Sequence, residues 1–236
     1  MEQLESDMSL DREMLSKLVF SKMDSYTKPL FIYGQSGSGK TALMSQIAAL
    51  SLNWFDAKPV RVVRFCGTTP GATNIVDVLA SICEQLAEAY DVMLPPFLNI
   101  RAEYAYLVEY FRALLCMINT SEKPLVVLID SIDQLVSQNN PYNMRWLPDC
   151  LPLNVYMVVS FIGTHESLLK NCRHRVRDDD RYIEVPILPK DTGAAIMKQW
   201  LRAKERCVDS SSDCFAHLHL LLYLHVDIVS LYDICI

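Results

Sequence analysis

Leu30-Phe31-Ile32-Tyr33-Gly34-Gln35-Ser36-Gly37-Ser38-Gly39-Lys40-Thr41-Ala42-Leu43 is the stretch on which the rest of the chain is organised. A short apolar run ends in glycine, a glycine- and serine-rich loop follows, and Lys40-Thr41 opens a segment with apolar residues at helical spacing. Residues 30–33 read as a strand and residues 41–51 as a helix. Residues 34–41 fit the pattern G-x-x-x-x-G-K-[ST], and that pattern needs a strand before it and a helix after it. Both flanks are present.

The residue types suit a loop that wraps phosphate. A triphosphate needs many donors converging on it with no side chains in the way. Gly37 and Gly39 let the backbone turn so that successive N–H groups point inward, and the helix start adds unpaired N–H groups and the positive end of its dipole. Gly34, Gln35, Ser36, Gly37, Ser38, Gly39, Lys40 and Thr41 are therefore the expected nucleotide-binding residues. Lys40 is expected on the β- and γ-phosphates, and the Thr41 hydroxyl on Mg²⁺. A glycine-rich turn before an ordinary helix is the plainer alternative, and the complete motif argues against it.

Residues 125–130 (LVVLID) carry the second signal. Five apolar residues in a row read as a strand buried on both faces, as in a parallel sheet, and it ends on Asp130. An acid at the end of a buried strand downstream of such a loop is the Walker-B arrangement, whose carboxylate holds Mg²⁺. Asp133 follows as a second acid. It either polarises the attacking water or caps the next helix, and the sequence leaves these two roles open.

Composition bounds the rest. The chain has 236 residues, 51% of them hydrophobic and only seven glycine, which is globular rather than disordered. A net charge of −6 with no clean basic run disfavours nucleic-acid binding. The eight cysteines contain no C-x-x-C pair and mostly sit in apolar runs. With an acidic, polar start to the chain, they read as reduced thiols in the cytoplasm.

Residues 1–28 read as an amphipathic lead-in helix ended by Lys28-Pro29. Residues 60–66 form a second strand, broken by Gly67 to Gly71, and residues 73–90 form a helix with Asn74 as its cap. Residues 101–119 are another helix. Residues 154–163 make a fourth strand carrying Ser160, residues 181–185 a fifth, and residues 191–206 a closing helix. The run 173–181 (RHRVRDDDR) reads as a solvated loop, with an arginine finger reaching a γ-phosphate as the sharper alternative. Residues 207–236 are an apolar tail. From Cys214 to Ile236 three histidines and two aspartates interrupt it, against a membrane span, and Cys214, His217 and His219 have only a loose metal-ligand spacing with no matching second pair.

Strands alternating with helices imply an α/β fold: a P-loop NTPase three-layer sandwich with a five-stranded, mostly parallel sheet and helices on both faces. Its domain spans residues 29–206. The expected function is ATP or GTP binding with slow, Mg²⁺-dependent hydrolysis. A small-molecule or nucleotide kinase and a non-catalytic module with structural nucleotide are the alternatives. No arginine-rich lid segment supports the kinase.

Several stretches together resemble the NACHT domain of the NACHT and WD-repeat proteins, a branch of the signal-transduction P-loop ATPases (the STAND group). They are residues 34–41, 64–70 (RFCGTTP), 128–135 (LIDSIDQL), 146–148 with 151–152, 158–160 and 182–186, in family-like order over residues 10–206. The resemblance implies a nucleotide-driven switch that oligomerises on activation, with a winged-helix region closing over the nucleotide. It also implies that residues 34–41 bind phosphate, Asp130 binds Mg²⁺, Lys40 and the second acid Asp133 are the catalytic residues, and Ser160, on a sensor strand, joins the nucleotide-binding residues. Many NACHT domains place an arginine just beyond that position, where Phe161 and Ile162 stand here. No winged helix or WD repeat follows Arg206, so the resemblance is to a NACHT core cut short. Protein partners are expected through self-association or through repeat regions outside this sequence.

Overall fold

The computed structural model describes residues 28–93, 103–118 and 122–187. The expected helices at 1–28 and 191–206, and the tail at 207–236, lie outside the described residues apart from Lys28.

Five strands form one sheet: β1 (Leu30–Gly34), β2 (Val60–Phe65), β3 (Leu125–Asp130), β4 (Val155–Ile162) and β5 (Tyr182–Glu184). Their order is β2-β3-β4-β1-β5, and every pairing is parallel. The expected five strands are thus all present. Among the described residues four helices connect them: α1 (Lys40–Leu50), α2 (Ile75–Ala89), α3 (Tyr104–Ile118) and α4 (Glu166–Arg175).

Alternation along the strands divides the core in two, because successive side chains point to opposite faces. Phe31, Val62, Val127, Ile129, Met157, Val159 and Phe161 join α2, α3 and α4 on one face. Leu30, Ile32, Val63, Val126, Leu128 and Val158 meet Leu43, Met44, Ile47 and Ala48 of α1 on the other. β3 is buried at all six positions, as a continuous apolar run in a covered parallel sheet should be. The edge strand β2 carries two arginines that are turned to helices: Arg61 donates to the Ala48 carbonyl of α1 (2.7 Å), and Arg64 to Ser81 and Gln85 of α2.

α2 begins as its sequence indicates, the Asn74 side chain accepting the Val76 N–H at 2.9 Å. α4 is a departure from the sequence reading. Only Leu168 and Cys172 of its ten residues are buried, so its apolar stripe is too sparse to register. The His165 ring accepts the Leu168 N–H at its start, while Arg173, His174 and Arg175 occupy the last turn, where cations suit the helix dipole. The charged run 173–181 is therefore not a solvated loop throughout. Its first three residues end α4, and Arg181 is 1% exposed in a short 3₁₀ turn.

Candidate functional site

Parallel strands bring their C-terminal ends to one edge, and the ends of β1, β3 and β4 converge there with the start of α1. After β1 the chain turns through Gly37 (φ 76°) and Gly39 (φ 93°), both left-handed. Gly34 is required for a different reason. A Cβ there would lie 2.4 Å from the Val185 carbonyl oxygen and 3.0 Å from Ser38 Oγ, so only glycine lets the chain beyond β5 pass this close.

Gln35, Ser36 and Gly37 are exposed at the crest of the loop, whereas Ser38 is buried and its hydroxyl has no hydrogen-bond partner among the described residues. Gly39 precedes α1 with no side-chain cap, and no acidic residue lies in the helix's first turn. A helix start left this way presents N–H groups and a positive dipole end to an anion. The Lys40 ammonium curls back over the loop, donating to the carbonyls of Gly34 (3.0 Å) and Gln35 (2.8 Å). Partial burial lowers its pKa, and Asp133 and then Asp130 oppose that shift.

Asp130 is 2% exposed. It follows Val126 and Leu128 in the period-two alternation, so its carboxylate emerges on the α1 face. Thr41 Oγ1 donates to its Oδ2 at 2.7 Å, Ser131 Oγ donates to the same oxygen at 3.1 Å, and Ser160 Oγ donates to Oδ1. Burial raises the Asp130 pKa, and these three hydroxyls and Lys40 hold it down. Cys66, whose N–H donates to the Asp130 carbonyl, has its thiol pushed up to about 12, first by burial and then by the two acids.

Asp133 lies half-buried in the 3₁₀ turn after β3. Its Oδ1 accepts the Ile162 N–H at 2.8 Å and its Oδ2 accepts the Gln134 amide at 2.7 Å, so it ties this turn to the end of β4. Ser160, expected among the nucleotide-binding residues, is completely buried behind Asp130. Ser131 and the Ile162 backbone were not anticipated. Alternation within β3 and β4 was the available signal, since it puts Asp130 and Ser160 on one face.

Hard oxygen donors with room for water and phosphate ligands suit Mg²⁺, and Thr41 with Asp130 supplies such a pair. The glycine crest, the uncapped helix start and the unpaired Ser38 hydroxyl suit a phosphate chain. The residues present thus fit a magnesium nucleotide. A cavity of about 820 Å³ lies elsewhere, between α3 and residues 143–152, and none of these residues lines it.

The sheet order, the glycine loop and the acid at the end of β3 define an α/β P-loop NTPase fold. The ORC1 protein of Aeropyrum pernix, solved in complex with DNA, shares it with a TM-score of 0.53 at 17% identity, over 92% of this chain and 55% of that one. The chain belongs to the NACHT domain family, which matches residues 28–204. Mouse NACHT and WD repeat domain-containing protein 2 is 28% identical over 212 residues, 86% of this chain and 12% of the relative. Human NACHT domain- and WD repeat-containing protein 1 is 31% identical over 179 residues, 75% of this chain and 11% of the relative. The chain thus spans about an eighth or less of these relatives' length.

Proposed function

We propose that this domain binds ATP or GTP with Mg²⁺, hydrolyses it slowly, and serves as a nucleotide-dependent switch for protein assembly in the cytoplasm. The observation that carries the reading is the Thr41–Asp130 contact at 2.7 Å, set beside an uncapped helix start and a glycine loop. The loop's N–H groups and Lys40 would take the phosphates, Lys40 exchanging its two carbonyl partners for phosphate oxygens. Thr41 and Asp130 would hold Mg²⁺, which supplies charge neutralisation for the phosphoryl group. Asp133, with both oxygens accepting hydrogen bonds, would act on the attacking water through the position of the turn it fastens.

Assembly is the role inferred from membership in the NACHT family, whose partners here would be other copies of the chain or other proteins. DNA, present with the Aeropyrum pernix fold neighbour, is not carried over, because a net charge of −6 without a clean basic run disfavours it. Titrating labelled ATP and GTP into the protein with and without Mg²⁺, then measuring released phosphate, tests the reading. Mg²⁺-enhanced binding with slow release is expected. No binding of either nucleotide would refute it, and phosphate transfer to an added small molecule would make it a kinase.

A further inference from the structure

We propose that Ser160 is a positioning residue for magnesium: its hydroxyl fixes the Asp130 carboxylate so that the second oxygen faces Thr41, without itself touching nucleotide. The proposal rests on the nucleotide reading above and adds a role that the loop motif does not contain.

The contacts engage the hydroxyl's proton and one of its two acceptor positions. A hydroxyl has one proton and two lone pairs. The proton goes to Asp130 Oδ1, and the oxygen accepts the Ser131 N–H at 2.9 Å. Ser131 has φ 58°, the left-handed region that non-glycine residues seldom enter. That conformation accompanies two contacts, its N–H to Ser160 and its own hydroxyl to Asp130 Oδ2. Ser160, Ser131 and Asp130 thus close a small ring at the ends of β3 and β4. With Oδ1 held in this ring, the carboxylate plane is fixed and Oδ2 is presented to Thr41.

The sheet explains why the residue belongs to β4. Ser160 pairs with Ile32 of β1 on one side. On the other side it stands one step beyond the Ile129–Val159 pair, level with Asp130. It is fully buried between Val159 and Phe161, both also fully buried. A hydroxyl in such a strand needs a partner, and the acid beside it is that partner. Removing it would leave both Oδ1 and the Ser131 N–H short of a hydrogen bond. Groups that orient a metal's ligands from behind typically change metal affinity about 10–100-fold when lost.

The test uses the whole chain and a fluorescent ATP analogue titrated at fixed protein, first without divalent metal and then across a MgCl₂ series. For Ser160→Ala, the MgCl₂ concentration that gives half of the metal-dependent gain should rise about tenfold or more. Metal-free binding should stay within about twofold of wild type. Ser160→Cys fills the same space with a weaker donor and should fall between the two; Ser160→Thr, which keeps the hydroxyl, should restore the wild-type requirement. Should Ser160→Ala fail to fold, the cysteine and threonine variants carry the comparison. An unchanged magnesium requirement overturns the proposal, as does an equal loss of metal-free and metal-dependent binding, which would mark a packing role. A wild-type protein that binds no nucleotide would instead sink the nucleotide reading and this inference with it.

Discussion

Asp130→Asn should make the nucleotide-free protein more stable while abolishing its response to magnesium. A carboxylate that is 2% exposed has lost its water, and the effective penalty for burying one ion is several kcal/mol. Three hydroxyls and Lys40 return part of this, yet burial remains the dominant influence on the Asp130 pKa, which is raised. Asparagine has the same shape. Its amide oxygen can accept from Ser160, and its NH₂ can donate to Thr41 and Ser131 once those hydroxyls rotate, so the hydrogen bonds survive without the charge. A single stabilising substitution commonly yields about 0.5–2 kcal/mol, its cost falling on function when it stands at a functional site. For a domain of this size that raises the melting temperature by roughly 1–8 °C. The sign of the pH dependence follows from the raised pKa. The folded state holds the proton over a range where the unfolded chain has lost it, so that contribution is complete below the unfolded value and is lost as pH rises through the folded value. The advantage of Asp130→Asn should therefore be largest at neutral pH and shrink on acidification. Thermal unfolding of both proteins in metal-free buffer, from mildly acidic to neutral pH, measures it. A variant less stable than wild type at neutral pH would show that the hydroxyls and Lys40 outweigh the burial penalty, and the reasoning would be wrong.

Four other outcomes are expected. Lys40→Ala should weaken ATP binding at least about tenfold, or 1.4 kcal/mol, by titration; an unchanged dissociation constant in a folded protein would end the phosphate-loop reading. Gly34→Ala should cost about 1–3 kcal/mol in thermal or urea unfolding, because its Cβ would meet the Val185 carbonyl at 2.4 Å. Asp133→Asn should leave nucleotide affinity near wild type and slow phosphate release, whereas release at the wild-type rate would confine Asp133 to a structural tie. Thiol labelling followed by peptide mapping should modify the exposed Cys116 and Cys150 in the native protein. Cys66, Cys83 and Cys172, whose thiols burial pushes up to about 12, should stay protected until denaturant is added.

The elements read correctly from sequence are those whose signal is local. The glycine loop is contiguous, the apolar run of β3 declares its own burial, and Asn74 stands next to the helix that it caps. The features that sequence missed depend on residues far apart in the chain. Gly34 is demanded by Val185, which is 151 positions away in the numbering, and no local pattern shows that approach. The pairing of Asp130 with Ser160 needs the register of β3 on β4, which a pattern of apolar residues leaves undetermined. The sequence places Ser160 on a strand that ends at the site, and the structure adds that its hydroxyl donates to the acid. α4 leaves no apolar periodicity to read, because only two of its ten side chains are buried.

The strand order itself gives Ser160 its position. β1 ends in the phosphate loop and β3 ends in the acid, but the two are not neighbours; β4 lies between them. At about 4.8 Å per strand, the roots of the loop and of Asp130 are separated by roughly 10 Å. α1 crosses that gap, packing Leu43, Met44 and Ile47 with Ile32, Val158 and Leu128 from all three strands, and it brings Thr41 to the acid. The end of β4 is therefore the floor between loop and acid. It meets Asp130 through the Ser160 hydroxyl and Asp133 through the Ile162 N–H, a side chain and a backbone group two residues apart on one strand. Both acids are thus tied to the same strand end. An apolar residue in place of Ser160 would keep the strand and lose that coupling at Asp130, while the Ile162 N–H would still hold Asp133. Metal binding and the placement of the second acid are thus separable by substitution although a single strand carries both.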